Sequence, residues 1–295
     1  MTVRTLPAVV TRRRAVRPGK ELAGWAYAAP TALFVLLFFV VPIVIVARMS
    51  ASDWSLFAGN RGWNAPENYQ QVLDDRLLWP AVWFTLKYTA LTTVLLLVLA
   101  LGLALLVQES TRWTGFLRTS FLIPSALGLA SASLLFYALY SPQSGPFPGV
   151  TFLGSPASAL WSTVGLIVWR FAGFYMVLLM VGLQSISADV YEAARLDGAG
   201  RWQAFRHITL PLLRPSIALC TILCVTGSLL AFDQFYILTK GGPDNSTITI
   251  VQLVYNLAFQ GSNDLGRAAA LSILVLLALL VVNLLQFRGL RGKES

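Results

Sequence analysis

Charged side chains are scarce in this chain. Of its 295 residues, 12% are charged and 56% are apolar. The length alone would allow one or two soluble domains, but so little charge excludes an ordinary soluble protein. The composition therefore indicates a protein of the membrane.

Histidine and cysteine are also nearly absent. His207 is the only histidine, so neither a histidine-based metal cluster nor a nucleophile, histidine and acid triad can be assembled. Cys220 and Cys224 lie four residues apart and share a helix face, where a disulfide is poorly placed and two thiols offer too few metal ligands. We predict no catalytic residue, no metal site and a packing role for both cysteines.

Long runs without charge are abundant. They cover residues 22–47, 88–108, 119–169, 171–188, 215–232 and 268–287. A bilayer core requires about 20 apolar residues per helix, so the longest run holds two spans and each other run is near the length of one. The helix-breaking residues 141–146 divide the longest run. We predict an all-α membrane protein with six transmembrane helices, at 22–47, 81–107, 116–140, 160–183, 216–238 and 267–287.

Basic residues are concentrated on one side of this predicted bundle. Six spans place both termini on that side, and loops rich in Lys and Arg stay in the cytoplasm. The basic residues of that side are Arg4, Arg12, Arg13, Arg14, Arg17, Lys20, Arg112, Arg118, Arg195, Arg201, Arg206, Arg214, Arg288, Arg291 and Lys293. The other side carries Arg48, Arg61, Arg76, Lys240 and Arg267. We therefore predict that the tails 1–21 and 288–295 are both cytoplasmic.

The same distribution accounts for the net charge of +9. Topology and anionic lipid headgroups explain the positive residues, so nucleic acid is not predicted as a partner. The run of three arginines at 12–14 resembles a secretory or twin-arginine signal. The apolar stretch after it is too long for a signal, and we predict an uncleaved first helix.

The longest predicted cytoplasmic connection is residues 184–215. Its first part is rich in good helix formers, and Asp189 and Glu192 place negative charge in the first turn, where it complements the helix dipole. Gly198 and Gly200 then permit a sharp reversal. We predict a short helix parallel to the membrane, between helices 4 and 5, and a turn back into helix 5.

This connection resembles the EAA loop of permease subunits of binding-protein-dependent ABC importers. The family pattern is Glu-Ala-Ala, three residues, Gly, nine residues, Ile, any residue and Leu-Pro. The matching residues are Glu192, Ala193, Ala194, Gly198, Ile208, Leu210 and Pro211, with every spacing met. In such permeases the loop is a coupling helix that sits in a cleft of the ATPase. The resemblance implies that Glu192 is the charged contact and Gly198 the turn.

With Asp197, these residues are the predicted ATPase-coupling set, in a loop at 189–211. The alternative is a surface amphipathic loop with chance similarity. Further stretches resemble the carbohydrate branch of the family, the maltose-permease-like proteins. They are 117–118, 121–124, Trp169, Gly173, 182–184, 232–233, Tyr236, 238–239 and 241–243. Two departures are Phe84 and Thr85, where an Asn-Thr pair is common, and the absence of the large outer domain of the maltose protein.

The resemblance implies that residues 22–287 form an importer transmembrane domain in a bacterial inner membrane. The chain has no phosphate-binding Gly-x-x-x-x-Gly-Lys-Ser/Thr, and the nearest string, at 18–21, lacks the first glycine and the hydroxyl. No cofactor is predicted on this chain, and ATP and Mg are expected on another. The implied partners are a second permease subunit, two ATPase subunits or domains, an extracytoplasmic solute-binding protein and membrane lipid.

The solute path is predicted beside Arg170. A charge at mid-span costs about 2.5 to 3.5 kcal/mol on insertion scales, so it usually faces a cavity or a partner. Positions carried over from the maltose permease complete the predicted path: Arg170, Phe174, Cys224, Gly227, Ser228, Ala231 and Asp233. The polar amides of the maltose protein are missing here. The alternatives for Arg170 are an ion pair, with Asp233 as a candidate partner, and snorkelling to the membrane surface, as we expect for Lys87.

Several functions stay open at this point. The favoured solute is a sugar, and the alternative is a polyol or a glycerol-phosphate-like anion. A secondary carrier that works without ATP is a further alternative, although neither paired inverted halves nor interrupted helices with intramembrane charges are evident. A purely structural membrane protein is the remaining alternative.

Overall fold

The computed structural model describes residues 18–291, with side chains from 25 to 289. The predicted cytoplasmic tails therefore fall largely outside the described residues. Two compact units divide the chain, Met1–Arg48 and Met49–Ser295. The first unit contains helix α1 (Pro18–Val35), a π turn (Leu36–Val40) and most of α2 (Val41–Ser50). Its large apolar side chains from Trp25 to Ile45 are exposed.

The second unit begins with a two-stranded antiparallel sheet and continues with helices. The strands are β1 (Ser52–Ser55) and β2 (Gly59–Trp63). The helices are α3 (Glu67–Leu73), α4 (Leu78–Leu106), α5 (Arg112–Ala126), α6 (Leu129–Leu139), α7 (Pro156–Gln184), α8 (Ala188–Leu196), α9 (Arg201–Ala204), α10 (Leu210–Leu212), α11 (Arg214–Leu229), α12 (Asp233–Leu238), α13 (Ile250–Phe259) and α14 (Leu265–Arg291). A second π turn (Phe205–Thr209) joins α9 to α10.

Four helices among the described residues are long and apolar enough to cross a membrane. They are Trp25–Ser50, Leu78–Leu106, Pro156–Gln184 and Leu265–Gly289. Two bent pairs also pass when each pair is taken together: Arg112–Ala126 with Leu129–Leu139, and Arg201–Leu212 with Arg214–Leu229. The described residues are therefore those of a multi-pass helical membrane protein with four to six candidate spans.

The prediction of one continuous helix at 116–140 is wrong. The chain turns by 95° between α5 and α6. Pro124 lies in the last turn of α5 and has no N–H to donate, and Leu127 and Gly128 are extended. Bonding within the helix therefore stops at Ala126.

The prediction of a continuous helix at 216–238 is also wrong. The helix ends at Leu229, and three residues without helical structure separate it from α12. The carbonyl of Ala231, inside this break, accepts a hydrogen bond from the buried hydroxyl of Thr249 at 2.7 Å. The Thr249 side chain thus satisfies the carbonyl group of Ala231, which a continuous helix would have paired with one of its own N–H groups.

The segments between the long helices contain structure that the sequence did not predict. The β1–β2 hairpin and α3 occupy residues 52–73, and α13 lies before α14. The Asn68 side chain donates to the carbonyls of Ser50 and Ser52, at 3.0 and 2.9 Å. An ion pair of 3.1 Å joins Arg267 at the start of α14 to Asp75 after α3. These contacts fix the loops to the ends of the long helices.

The core lies where α4, α7 and α11 pack together. Ala100 and Ala104 of α4 are fully buried, and small side chains let membrane helices approach closely. A Cβ atom at Gly173 of α7 would overlap the backbone of Phe121, so α5 crosses α7 at a point where only glycine fits. Cys220 and Cys224 are both buried with free thiols, in agreement with the predicted packing role.

Candidate coupling loop and solute cavity

Helix α8 carries the Glu-Ala-Ala part of the loop. The Ser187 hydroxyl caps it by accepting from the N–H of Asp189 at 3.3 Å, and Asp189 adds negative charge in the first turn. Glu192 and Ala193 are exposed, whereas Ala194 is buried. The motif therefore turns its charged residue to solvent and packs an alanine against the protein.

A glycine cap ends α8. Gly198 has a φ of +80°, a left-handed conformation that favours glycine. Its N–H donates to the carbonyl of Arg195 at 3.1 Å, and the N–H of Ala199 donates to that of Ala194 at 2.9 Å. This pair of bonds is a Schellman cap. Gly200 has a φ of −71°, so the reversal predicted at two glycines needs only Gly198.

The chain returns from α8 toward α11 through Arg201–Leu212, which we call the return segment. A hydrogen bond joins this segment to α8. The hydroxyls of Tyr191 and Thr209 are 3.0 Å apart, and Thr209 is buried at the end of the π turn. The chain then bends by 63° between Leu212 and Arg214. Pro211 lies in α10, just before this bend. Predicted coupling residues from Glu192 to Pro211 thus connect α8 to the base of α11.

The partly buried Ile208 and Leu210 flank Thr209 on this return segment. Asp197 is exposed at the end of α8, beside Gly198. A cleft of about 830 Å³ separates α8 from the end of α4, with Glu192, Arg195, Arg201 and Glu109 among its lining residues.

Two exposed apolar residues of this loop were missed by the sequence reasoning. Leu196 is 89% exposed and Trp202 is 68% exposed. Large apolar side chains on a surface that also carries charge are typical of protein contacts. Their position beside charged residues, Asp197 and Arg201, was the available signal.

A cavity of about 310 Å³ lies where α7, α11 and the break before α12 meet. Six of the seven predicted path residues line it: Phe174, Cys224, Gly227, Ser228, Ala231 and Asp233. Phe171, Tyr175 and Phe232 add aromatic rings to the wall. The structure therefore brings these predicted residues together around one space.

Arg170 is the exception, since it lies beside the cavity rather than in its lining. Its guanidinium carbon is 4.4 Å from the centre of the Phe171 ring. The buried Nε atom has no hydrogen-bond partner. Among the described residues no carboxylate pairs with Arg170, so the candidate ion pair with Asp233 is not formed.

Polar groups of the cavity come partly from residues that the sequence reasoning missed. Gln234 lines the cavity and donates to the Tyr88 hydroxyl at 3.1 Å, while its buried Oε1 has no partner. The hydroxyls of Ser228 and Thr92 are 3.0 Å apart. An amide is therefore present in the wall, at Gln234.

Known proteins resemble this chain over nearly its whole length. The sulfoquinovosyl glycerol transport system permease protein SmoG of Agrobacterium fabrum is 33% identical, over 94% of this chain and 92% of its own. The trehalose/maltose transport system permease protein MalF of Thermococcus litoralis is 32% identical, over 87% of this chain and 90% of its own. The lactose transport system permease protein LacF of Rhizobium radiobacter is 29% identical, over 96% of this chain and 99% of its own.

The fold is also found among solved structures. A chain of a bacterial alginate ABC transporter, solved in complex with an alginate pentasaccharide-bound periplasmic protein, aligns with a TM-score of 0.78 and 22% identity, covering 91% of this chain and 93% of that one. The family model of the binding-protein-dependent transport system inner membrane component matches residues 20–288. The resemblance predicted from the EAA loop is thereby confirmed, and the chain belongs to the family of binding-protein-dependent transport system inner membrane components.

Proposed function

We propose that this chain is one permease subunit of a sugar-importing ABC transporter and that α8 couples it to a separate ATPase. The observation that carries the proposal is the hydrogen bond between Tyr191 of α8 and Thr209, which lies in the segment that leads into α11. Helix α11 in turn supplies Cys224, Gly227 and Ser228 to the cavity. A displacement of α8 by a bound ATPase therefore has a short physical route to the solute path.

The surface of the loop supports docking to a protein partner. Glu192 provides an exposed charge on α8, and Leu196 on the same helix and Trp202 on α9 provide exposed apolar area. An aromatic anchor with a charged rim is the usual composition of a protein interface. The partner is the subunit that binds ATP and Mg, and no cofactor is assigned to this chain.

The composition of the cavity and the names of the relatives support a sugar as solute. Aromatic rings from Phe174 and Phe232 offer flat apolar surface to a sugar ring, and Ser228 and Gln234 offer hydrogen-bonding groups to its hydroxyls. The three relatives described above are named for the transport of lactose, of trehalose and maltose, and of sulfoquinovosyl glycerol. The unpaired Arg170 keeps an anionic solute, such as a glycerol-phosphate-like compound, as the alternative.

The assembly proposed for this chain contains a second permease subunit, two ATPase subunits or domains and an extracytoplasmic solute-binding protein. The alginate transporter was solved in complex with a periplasmic protein, which supports a partner of that kind here. Six spans follow when each bent helix pair counts as one. With six spans and the basic residues on one side, both termini and α8 lie in the cytoplasm.

The coupling role is tested by Glu192→Lys in the assembled transporter. We expect the variant to insert normally, because Glu192 is exposed, and to lose both co-purification with the ATPase and solute-stimulated ATP hydrolysis. Purification of the tagged chain and assay of ATP hydrolysis in proteoliposomes, with lactose, trehalose and glycerol 3-phosphate offered in turn with the binding protein, measure both effects.

Glu67→Lys is the matched control, since Glu67 is also an exposed glutamate on a helix but lies on α3. It is expected to retain the ATPase. Wild-type co-purification by Glu192→Lys would overturn the coupling role. Uptake by the wild-type chain without any ATPase would favour the secondary-carrier alternative.

A further inference from the structure

A groove between two of the long helices has no role in the proposed function. It has a volume of about 830 Å³ and lies between α4 and the first turns of α7. Its lining is apolar apart from one cation and consists of Trp83, Leu86, Lys87, Ala90, Leu91, Val94, Ala157, Leu160 and Trp161. The small side chains of Ala90 and Ala157 leave space between the helices.

Two tryptophans mark a common depth on this groove. Trp83 is the sixth residue of α4, counted from Leu78, and Trp161 is the sixth residue of α7, counted from Pro156. Each tryptophan residue therefore lies about 7.5 Å along the helix axis from the first residue of its helix. Trp83 is 71% exposed and Trp161 is 55% exposed. Exposed tryptophans on membrane helices prefer the headgroup level, so the two rings place that level across the groove.

Lys87 lies one helical turn further into the membrane than Trp83. It is exposed, and the groove lining contains no acidic residue. No carboxylate among the described residues forms an ion pair with Lys87, so it has no protein counter-charge there. Its four-carbon stem allows the ammonium group to reach back toward the level of the two rings. A cation at the headgroup level, above an apolar groove, is complementary to a phosphate that carries an acyl chain.

We propose that this groove is a binding site for an anionic phospholipid. The lipid phosphate contacts Lys87 between Trp83 and Trp161, and one acyl chain lies in the groove along Leu91 and Val94. A lipid with a net negative headgroup is selected over a zwitterionic one, because the latter places its own cation near Lys87. The site lies on the proposed lipid-facing surface of the protein, and lipid binding there does not depend on whether the chain couples to an ATPase.

The test uses the assembled transporter in lipid nanodiscs that contain brominated phosphatidylglycerol or brominated phosphatidylcholine, since bromine quenches tryptophan fluorescence on contact. The quenching that belongs to the groove is the difference between wild type and the variant W83F/W161F. We expect brominated phosphatidylglycerol to reach half-maximal quenching of this component at a roughly fivefold lower mole fraction than brominated phosphatidylcholine.

The variant Lys87→Gln is expected to abolish this preference and Lys87→Arg to retain it. Lys240→Gln is the matched control, because Lys240 is exposed but lies after α12, away from the groove. Equal quenching by the two lipids, or a preference that survives in Lys87→Gln, would overturn the proposal. Absence of quenching by either lipid would also overturn it, because a protein helix would then cover the groove.

Discussion

Arg170 carries a charge at the centre of a membrane-spanning helix. It is the fifteenth residue of the 29-residue α7, counted from Pro156. Such a charge is costly unless another group compensates it, and the Phe171 ring supplies only a partial compensation at 4.4 Å. Because Phe171 lines the cavity, the guanidinium lies at the edge of the proposed solute path. A solute hydroxyl or anionic group would complete its hydrogen bonding.

Substitution of this residue separates solute contact from assembly. Arg170→Gln is expected to reduce uptake roughly tenfold to a hundredfold, since one charge-assisted hydrogen bond contributes about 1.5 to 3 kcal/mol. Co-purification with the ATPase should not change, because Arg170 is remote from α8 along the chain. Uptake in proteoliposomes measures the effect, and Arg112→Gln, which removes an exposed charge at the start of α5, is the control. Unchanged uptake in Arg170→Gln would show that its role is structural.

Residue spacing explains why part of the cavity lining was predictable. Positions 224, 227 and 228 follow the three-and-four spacing of one face of α11, so the assignment of one of them by resemblance places the others beside it. Gln234 was missed because the break at 230–232 gives α12 an orientation that the spacing of α11 does not determine. The break itself depends on Thr249, which lies 18 residues away from Ala231 in sequence.

Helix α8 behaves as an element with defined ends. Ser187 caps its first turn, Gly198 caps its last, and a hydroxyl contact attaches its middle to the return segment. A short helix without such caps would fray in water. The caps therefore keep the loop in the shape that a partner surface has to match.

The two glycines of the loop provide a direct test of this element. Gly198→Ala places a side chain in the left-handed region at a cost of about 1 to 2 kcal/mol, so we expect the end of α8 to fray and stimulated ATP hydrolysis to fall several-fold. Gly200→Ala adopts an ordinary φ, and its Cβ would meet only the Gln203 side chain at 3.8 Å. It is expected to keep wild-type activity. Equal loss in both variants would contradict the role of the cap.

The sequence predicts the long helices better than the segments that connect them. Apolar runs of bilayer length identify helices such as α4, α7 and α14, because lipid allows no other backbone arrangement for them. The bend at Leu127 and Gly128 follows Pro124 in the last turn of α5, and a hydropathy pattern does not register a single proline. The close approach of α5 to Gly173 is a tertiary contact, and a hydropathy pattern carries no information about it either.

The distribution of Lys and Arg alone predicts the orientation of the whole molecule in the membrane. The proposed cytoplasmic side contains α8 and the loop after α4, and the proposed outer side contains the β1–β2 hairpin and α13. A reagent that does not cross the membrane distinguishes the two sides. The chain is suited to this test because both of its cysteines are buried.

Single cysteines report the orientation. Phe57→Cys, between β1 and β2, is expected to react with an impermeant maleimide in intact spheroplasts. His207→Cys, in the segment after α8, is expected to react only after lysis, because its side chain is exposed and the loop is proposed to lie on the cytoplasmic side. The wild-type chain measures the background from Cys220 and Cys224. The opposite pattern would reverse the orientation and place α8 out of reach of a cytoplasmic ATPase.

The break between α11 and α12 has a consequence for how such a protein diversifies. Eight of the residues around the cavity fall within the eleven positions 224–234, and the loop that carries the proposed ATPase contact ends at 211. Under the proposed function, solute binding and coupling to the ATPase therefore depend on separate, neighbouring segments of the chain. Substitutions at a few positions around the cavity would then change the solute while the surface that binds the ATPase stays the same.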